Sequence, residues 1–513
     1  MSLIRSSFSI GGMTLVSRVF GFIRDMLVAK VLGAGLEADA FVVAFKLPNF
    51  FRRLFAEGAF NQAFLPMFAG MIKTGSKEDA LRFASDALSW LIVVVSCVVA
   101  ASMVAMPWVM LILAPGFDKD PVLYDLSINL TRITFPYLLF ITIVSLLGGV
   151  LNSFERFTAV ASTPIIMNLS MILGIYIFPP VTPSMAHALA WGVFFAGVTQ
   201  LFWLTFYCKK AGILPSIHLP RLTPEVKKLL ILVAPAALGA GVTQINLMID
   251  TMIATLIPNA VSYLYYADRI FELPLGVIGI AVATALLPTL SKQIRAGEKD
   301  RATATTNQSI KLVMLLGLPC CGALLVIAEP IIKVIFERGA FSISDTAAVF
   351  PALMAFSLGL PGHLIAKILA SNFFAAQDTK TPVKIAVFCV LLNLILNLTL
   401  MRFLEHVGIA LATTISGYVN AVLLGYILHK RGQFVPDRAL KRFVLQCLIA
   451  TFAMMGMLWG ASESLEFWFT GDFIRQIVAL GLLIGIGSLS YGTVILLSGG
   501  IRIRDVKAFL AKK

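Results

Sequence analysis

Long apolar runs, separated by short polar breaks, follow one another along the 513-residue chain. A helix needs about 20 apolar residues to cross a bilayer. On that measure fourteen spans are predicted, at roughly 8–33, 37–71, 81–113, 122–153, 158–179, 185–208, 225–257, 261–292, 306–336, 344–375, 382–403, 407–429, 438–461 and 474–499. Several exceed the minimum length, so tilts, kinks or protrusion beyond the bilayer are expected. The first apolar stretch runs on through Arg18 and Arg24 with no small-residue cleavage site, so no cleaved signal peptide is expected.

Composition agrees with this pattern. Apolar residues make up 58% of the chain, charged residues only 13%, and mean hydropathy is +0.90. Soluble globular chains are nearer 25% charged, which excludes disorder, a coiled coil and an ordinary cytosolic enzyme. The net charge of +14 would suggest nucleic acid in a soluble protein. Here the basic residues gather at span ends on one side. Examples are Lys209, Lys210, Arg221, Lys227 and Lys228, then Lys292, Arg295, Lys299 and Arg301, then Lys430, Arg431, Arg438, Lys441 and Arg442. Loops on the opposite side hold Lys119, Arg338 and Arg402. This is the positive-inside pattern; it predicts cytoplasmic termini and an even number of spans, with no nucleic-acid partner. The six cysteines lie mostly in apolar runs with no CxxC, and no histidine has metal-ligand spacing.

The chain also repeats itself. Ala38-Asp39 recurs as Ala267-Asp268, Leu47-Pro48 as Leu273-Pro274, and Leu65-Pro66 as Leu287-Pro288. Gly116 in APGF matches Gly339 in RGAF, Pro136 matches Pro361, and Thr163-Pro164 matches Thr381-Pro382. Six ordered matches with little drift imply a repeat of six spans, covering roughly 1–210 and 222–430. An even-numbered unit returns to its starting side, so the halves are parallel, related by an axis along the membrane normal, with a cavity between them. The last two spans have no counterpart.

Charges inside the spans carry the candidate chemistry. Arg18, Arg24, Lys46, Arg52, Arg53, Arg269 and Lys367 are cationic; Asp25, Asp39, Glu57, Asp250, Asp268 and Glu272 are acidic. An ionised group at the bilayer centre costs at least about 2.5–3.5 kcal/mol, so these residues are expected to face protein, water or a polar ligand. Asp39, Lys46, Arg53 and Glu57 would share one helical stripe, with register approximate across Pro48. Arg18 and Asp25 share a face, with Arg24 to one side. Arg269 lies three residues before Glu272, within reach of it, and Asp268 four before. Arg53, Asp25, Glu57 and Asp268 have plausible mutual partners and read as internal ion pairs. Arg18, Arg24, Arg52 and Arg269 would repel one another in one cavity unless an anion joined them. Guanidinium forks suit phosphate oxygens, so the expected ligand is a phosphate-bearing anion. Asp250, with Gln244 and Asn246, reads either as a cation or proton site or as ordinary interhelical hydrogen bonding. Lys367 either lines the cavity or snorkels. No GxSxG, Walker A or HExxH motif is present, and no enzyme activity is expected.

Three runs carry a family resemblance: SRVFGFIRDMLVAKVLGAGLEADAFVVAFKLPNFFRRLFAEGAFNQAFLP at 17–66, YYADRIFELPLGVIGIAVATALLP at 265–288 and QDTKTPVKIA at 377–386. With them the chain resembles the MurJ (MviN) family of lipid II flippases, within a superfamily of drug and polysaccharide exporters. The resemblance implies an all-α polytopic fold with an N-terminal lobe at 1–210, a C-terminal lobe at 211–430, and a helix pair with a cytoplasmic tail at 431–513. It further implies a cationic cavity in which Arg18, Arg24, Arg52 and Arg269 receive the diphosphate of lipid II. Asp39 and Glu272 would hold these arginines, and the last two helices would form a groove for the prenyl tail. Movement of lipid II across the bacterial inner membrane by alternating access follows, with no cofactor. The protein would work as a monomer near the cell-wall synthesis machinery. Coupling to the membrane potential, Na+ or H+ stays open, as do two other functions: export of another lipid-linked oligosaccharide, and a membrane-embedded glycosyltransferase.

Overall fold

Backbone amides inside a bilayer have no water to bond, so an apolar chain must satisfy them within each segment. The described parts of the protein do so with helices. A computed structural model describes residues 3–53 and 60–500, with the side chains of all but 3–10, 234–243 and 280. Among the described residues there is no β-strand. Ten helical segments among them are long and apolar enough to cross a membrane. The all-helical, many-span class read from the sequence therefore holds.

The chain divides into two compact units. One runs to Ser262 and includes Arg338–Phe341; the other holds Tyr263–Glu337 and continues from Ser342. The first contains α1 (Leu3–Leu32), α2 (Leu36–Phe51), α3 (Asn61–Thr74), α4 (Lys77–Val104), α5 (Met106–Leu113), α6 (Pro121–Thr134) and α7 (Tyr137–Ser153). It continues through α8 (Phe157–Ala161), α9 (Thr163–Ile177), α10 (Met185–Lys210) and α11 (Pro224–Ala254). Helix α12 (Ala260–Arg295) begins at the boundary. The second unit adds α13 (Lys299–Val326), α14 (Ala328–Phe336), α15 (Ile343–Leu358), α16 (Leu360–Ala375) and α17 (Lys380–Lys430). It ends with α18 (Arg438–Ser464), α19 (Glu466–Phe469) and α20 (Phe473–Leu497).

Polar caps set several helix starts. Ser76 accepts from Asp79 N, Asp120 from Val122 N and Leu123 N, and Thr223 from Val226 N. Ser342 and Asp345 form a reciprocal capping box. Each cap takes up amides that a helix start leaves without partners. Breaks fall at equivalent places in the repeat. Helices α4 and α5 part at Ala105, α13 and α14 at Ile327; α6 and α7 part at Pro136, α15 and α16 beside Pro361. Turn residues Glu155 and Gln377 both adopt positive φ, 59° and 60°. Helix α17 is 51 residues long, but Glu405 at φ 48°, ψ −131° divides it in two.

In the first unit α9 packs on α10, α2 on α6, α4 on α7 and α1 on α9. A row of stacked rings, Phe60, Phe64, Phe68 and Phe83, runs through its core. Where α9 crosses α10, a Cβ on Gly174 would lie 3.0 Å from Gly192 Cα. Glycine there permits the close backbone approach that stands in for hydrophobic driving force between membrane helices. In the second unit α18 packs on α13 and α20, and α16 packs on α17 and α13. Pro48 removes an amide from α2 and frees the Ala44 carbonyl. Thr134 Oγ1 of α6 donates to that carbonyl at 2.7 Å.

Candidate transport site

In the first unit several charged residues of α1 and α2 have defined partners. Arg24 is 6% exposed and Asp25 5%. Arg24 Nη2 and Nε donate to Asp25 Oδ1 at 2.7 and 3.0 Å, and Nη1 donates to Asn168 Oδ1 at 2.8 Å. Asn168 of α9 in turn donates through Nδ2 to Ser17 O at 3.0 Å, tying the group to α1. Arg18 is exposed one and a half turns earlier. Asp25 therefore serves Arg24, the residue that helical spacing had set to one side.

Along α2, Arg52 Nε donates to Asn49 Oδ1 at 3.1 Å, and Lys46 Nζ donates to Thr251 Oγ1 of α11 at 2.9 Å. Arg53 is exposed, and Glu57 lies outside the described residues. Asp39 is buried, 2% exposed, and its Oδ1 accepts from Ser262 N at 2.8 Å. Ser262 opens α12, where amides lack intrahelical acceptors and the helix dipole favours an anion. In this structure the Asp39 carboxylate caps the start of α12. Asn246 Nδ2 reaches Asp250 Oδ2 at 3.4 Å along α11.

Two loops of the first unit close on helix ends with little clearance. A Cβ on Gly116 would sit 1.8 Å from Thr255 O, just past α11, and Gly116 N donates to Thr255 Oγ1 at 3.2 Å. A Cβ on Gly339 would sit 2.3 Å from Lys30 O near the end of α1, and Ala340 N donates to the same oxygen at 2.8 Å. Gly33, in the turn after α1, adopts φ +65°; a Cβ there would meet Ala340 O at 2.5 Å. Gly116 thus seats just past the end of α11, and Gly339 near the end of α1.

In the second unit Arg269 is held on two sides. Its Nη1 donates to Glu272 Oε2 at 3.4 Å, and its guanidinium lies 4.7 Å from the centroid of the Tyr265 ring. Tyr265, Arg269 and Glu272 stand at i, i+4 and i+7 on α12, so one face presents all three. Gly279 continues that face. A Cβ there would meet Lys367 Nζ at 3.3 Å, which places half-buried Lys367 of α16 over α12. Asp268 is partly buried on the neighbouring face. A further cavity of about 510 Å³ lies against the later part of α12, bounded by Ala281, Thr289, Gln308, Ser309, Lys311 and, from α18, Phe443.

Asn168, Thr251, Ser262, Tyr265 and Thr134 had escaped the sequence reading. Only Tyr265 carried a local signal, its position four residues before Arg269. The others reach their partners from distant parts of the chain.

The family profile described as "Lipid II flippase MurJ" matches residues 28–479. The probable lipid II flippase MurJ of Rhizobium tropici is 40% identical over 100% of this chain and 97% of its own length. The lipid II flippase MurJ of Burkholderia cenocepacia is 36% identical over 89% of this chain and 90% of its own. Among solved structures, lipid II flippase MurJ in an inward closed conformation superposes with TM-score 0.80 at 25% identity, over 95% of this chain and 98% of that one. An inward-facing multidrug resistance MATE family transporter superposes with TM-score 0.70 at 15% identity, over 85% and 99%, a likeness of fold alone. With a family match over most of its length, this chain belongs to the MurJ family of lipid II flippases.

Proposed function

We propose that this protein moves lipid II from the cytoplasmic to the periplasmic leaflet of the bacterial inner membrane by alternating access, supplying peptidoglycan synthesis. It is a transporter and not an enzyme. The observation that carries this reading is agreement with MurJ relatives along the whole chain, 40% identity over 100% of it, rather than in one domain.

Fourteen crossings are the reading that fits the helix lengths. Beyond the ten apolar segments, α1 and α11 contain 30 and 31 residues, or about 45 Å each at 1.5 Å per residue. Helices α2 and α3 together supply another crossing. The 51 residues of α17 would extend about 77 Å, more than twice a 30 Å hydrocarbon core, so its halves on either side of Glu405 cross separately. Two parallel six-helix lobes, 1–210 and 211–430, then surround a cationic cavity, with the pair at 431–513 appended. Both termini face the cytoplasm by the positive-inside pattern. The protein acts as a monomer alongside the cell-wall synthesis machinery.

The diphosphate of lipid II is received by Arg18, Arg24, Arg52 and Arg269. Dragging the headgroup through hydrocarbon would leave each unpaired polar group at a cost of several kcal/mol, and a polar cavity removes most of it. Arg269 is set for the task. Glu272 and the Tyr265 ring orient its guanidinium, and the long 3.4 Å contact to Glu272 is readily exchanged for a phosphate oxygen. Arg24 gives up part of its bonding to Asp25 when phosphate arrives, while Asn168 keeps it in place. Lys46, Arg53, Glu57 and Asp268 support the cavity. The prenyl tail runs in the groove bounded by Phe443 and the later part of α12.

Gate control falls to the two glycine-seated loops, which lie on the side opposite the termini. While Gly116 sits on Thr255 and Gly339 on Lys30, the outer ends of α1 and α11 are clamped; releasing both contacts opens the outer side. The drive is the membrane potential, worth about 2.3 kcal/mol per charge per 100 mV, or Na+ or H+ exchange through Asp250. The test is rescue of cells depleted of their own flippase. Growth on expression of this protein supports the reading; lysis despite correct insertion rejects lipid II as the substrate.

A further inference from the structure

The linker between α10 and α11, residues 211–223, is fixed to α4 at its middle. Ser216 N donates to Ser85 Oγ at 2.9 Å, and His218 N donates to Ser89 Oγ at 3.2 Å. Two residues of extended chain advance about 6.6 Å and four residues of helix about 6.0 Å, so one serine per turn meets every second amide. Between those serines stands Asp86, buried at 5% exposure. Its Oδ1 lies 3.3 Å from His218 Nε2, while His218 Nδ1 lies 2.9 Å from the Leu219 carbonyl oxygen.

Both ring nitrogens of His218 therefore face acceptors. A carbonyl oxygen has no proton to give, so Nδ1 donates. A proton must also lie between Nε2 and the carboxylate, and only the imidazolium donates from both nitrogens. Were that proton held by Asp86 instead, the count would be the same: the pair carries one proton more than neutral imidazole with free carboxylate. A buried carboxylate also needs a countercharge, and His218 is the group that supplies it. The other charges on the elements packed here are Lys73 of α3, Lys77, Glu78, Asp79 and Arg82 of α4, Glu155 and Arg156 after α7, and Lys209 and Lys210 of α10. Arg221 of the linker and Glu225, Lys227 and Lys228 of α11 complete the set. Among the described residues none of these forms an ion pair with Asp86 or His218.

We propose that His218 and Asp86 form a pH-sensitive latch. With the extra proton in place the linker stays on α4; when that proton passes to water, the chain beyond Ser216 lifts away. The two serine bonds carry no charge, so Ser216 remains as the hinge. Latched, residues 219–223 are the free stretch before α11; release adds 217 and 218, about 7 Å of extended reach. That slack is delivered to the start of α11, which Thr223 caps and which packs on α4. Under the alternating access proposed above, and resting on that reading, it lets α11 move when the cytoplasmic side opens, so an acidified cytoplasm slows transport.

The test is electron paramagnetic resonance of the full-length protein in nanodiscs. The six native cysteines are replaced, and one spin label is placed through Leu219→Cys, at a side chain 86% exposed. Histidine changes charge between about pH 5 and 8. Wild type should give an immobilised spectrum at pH 5 that turns mobile toward pH 8 with a one-proton midpoint. The mobile-to-immobile ratio should rise at least about tenfold, because hydrogen bonds to charged groups are the strong class. His218→Gln should be mobile at both ends, and His218→Arg, always charged, immobile at both. A wild-type spectrum unchanged from pH 5 to 8, or a pH response that survives in His218→Gln, would overturn the latch. The label reports without transport, so an overturned latch leaves lipid II movement standing, and failed lipid II movement leaves the latch standing.

Discussion

Gly116→Ala is the sharpest perturbation the structure offers. The backbone at Gly116 has φ −76°, ψ −20°, which alanine adopts without strain, so the substitution acts through contact alone. The added methyl would lie 1.8 Å from Thr255 O, 2.3 Å from Thr255 C and 2.6 Å from Leu256 N. All three are backbone atoms, and no rotamer change relieves them. An ordinary carbon-to-carbonyl-oxygen contact is about 3.3–3.6 Å, so the loop must retreat by roughly 1.5 Å. Retreat breaks the bond from Gly116 N to Thr255 Oγ1, worth about 0.5–1.5 kcal/mol, and adds overpacking of about 1–3 kcal/mol. The sum of about 2–4 kcal/mol corresponds to a population shift of roughly 30-fold to 1000-fold away from the clamped state. Spin labels on cysteines replacing Asp118 and Asn259 would report it as a longer, broader distance distribution. Transport should fall, because the outer side no longer closes. Gly35→Ala is the control, since nothing lies within 4 Å of its Cβ position. An unchanged distance distribution with full transport in Gly116→Ala would refute the clamp.

Other substitutions test other contacts. Asp39→Ala leaves the Ser262 amide without its acceptor and should cost about 1–3 kcal/mol, read as a lower Tm in detergent; Asp39→Asn keeps an acceptor and should cost clearly less. Asn168→Ala removes the acceptor of Arg24 Nη1 at 2.8 Å and should cost a similar 1–3 kcal/mol. In the turn before α17, hydrogen bonds from Thr381 and Arg431 hold the Asp378 carboxyl down at about 2, below its ordinary 3.8. That stabilisation is complete above pH 3.8 and is lost as pH falls through about 2. Asp378→Ala should therefore lower Tm by the same amount at pH 5 and pH 8; a loss appearing only near pH 8 would contradict the assignment.

Helices were legible because the bilayer leaves the chain no alternative, and apolar runs mark them directly. Pro136 and Pro361 were read only as repeat markers inside continuous spans, yet a helix breaks at each, since proline interrupts a helix wherever its amide is needed. Arg269 and Glu272 were legible as neighbours three residues apart on one helix. The environment of Arg24 was not. Adjacent Asp25 points about 100° away around the helix, and the arginine folds back to reach it; Asn168 arrives from 144 residues along the chain. The Ser262 partner of Asp39 was not legible for a related reason: it is a backbone amide at the start of a distant helix, and side-chain charge patterns carry no trace of backbone donors. Gly116 was legible only as a repeat match to Gly339, whereas its constraint is the Thr255 carbonyl against it.

The most direct test is outer-leaflet exposure of lipid II in cells depleted of their own flippase, comparing no protein, this protein and its Arg269→Ala variant at equal membrane abundance. Wild type should restore exposure, and Arg269→Ala, folded and inserted, should not. Exposure equal to wild type in the variant would remove Arg269 from diphosphate recognition. No exposure with wild type itself would contradict lipid II transport.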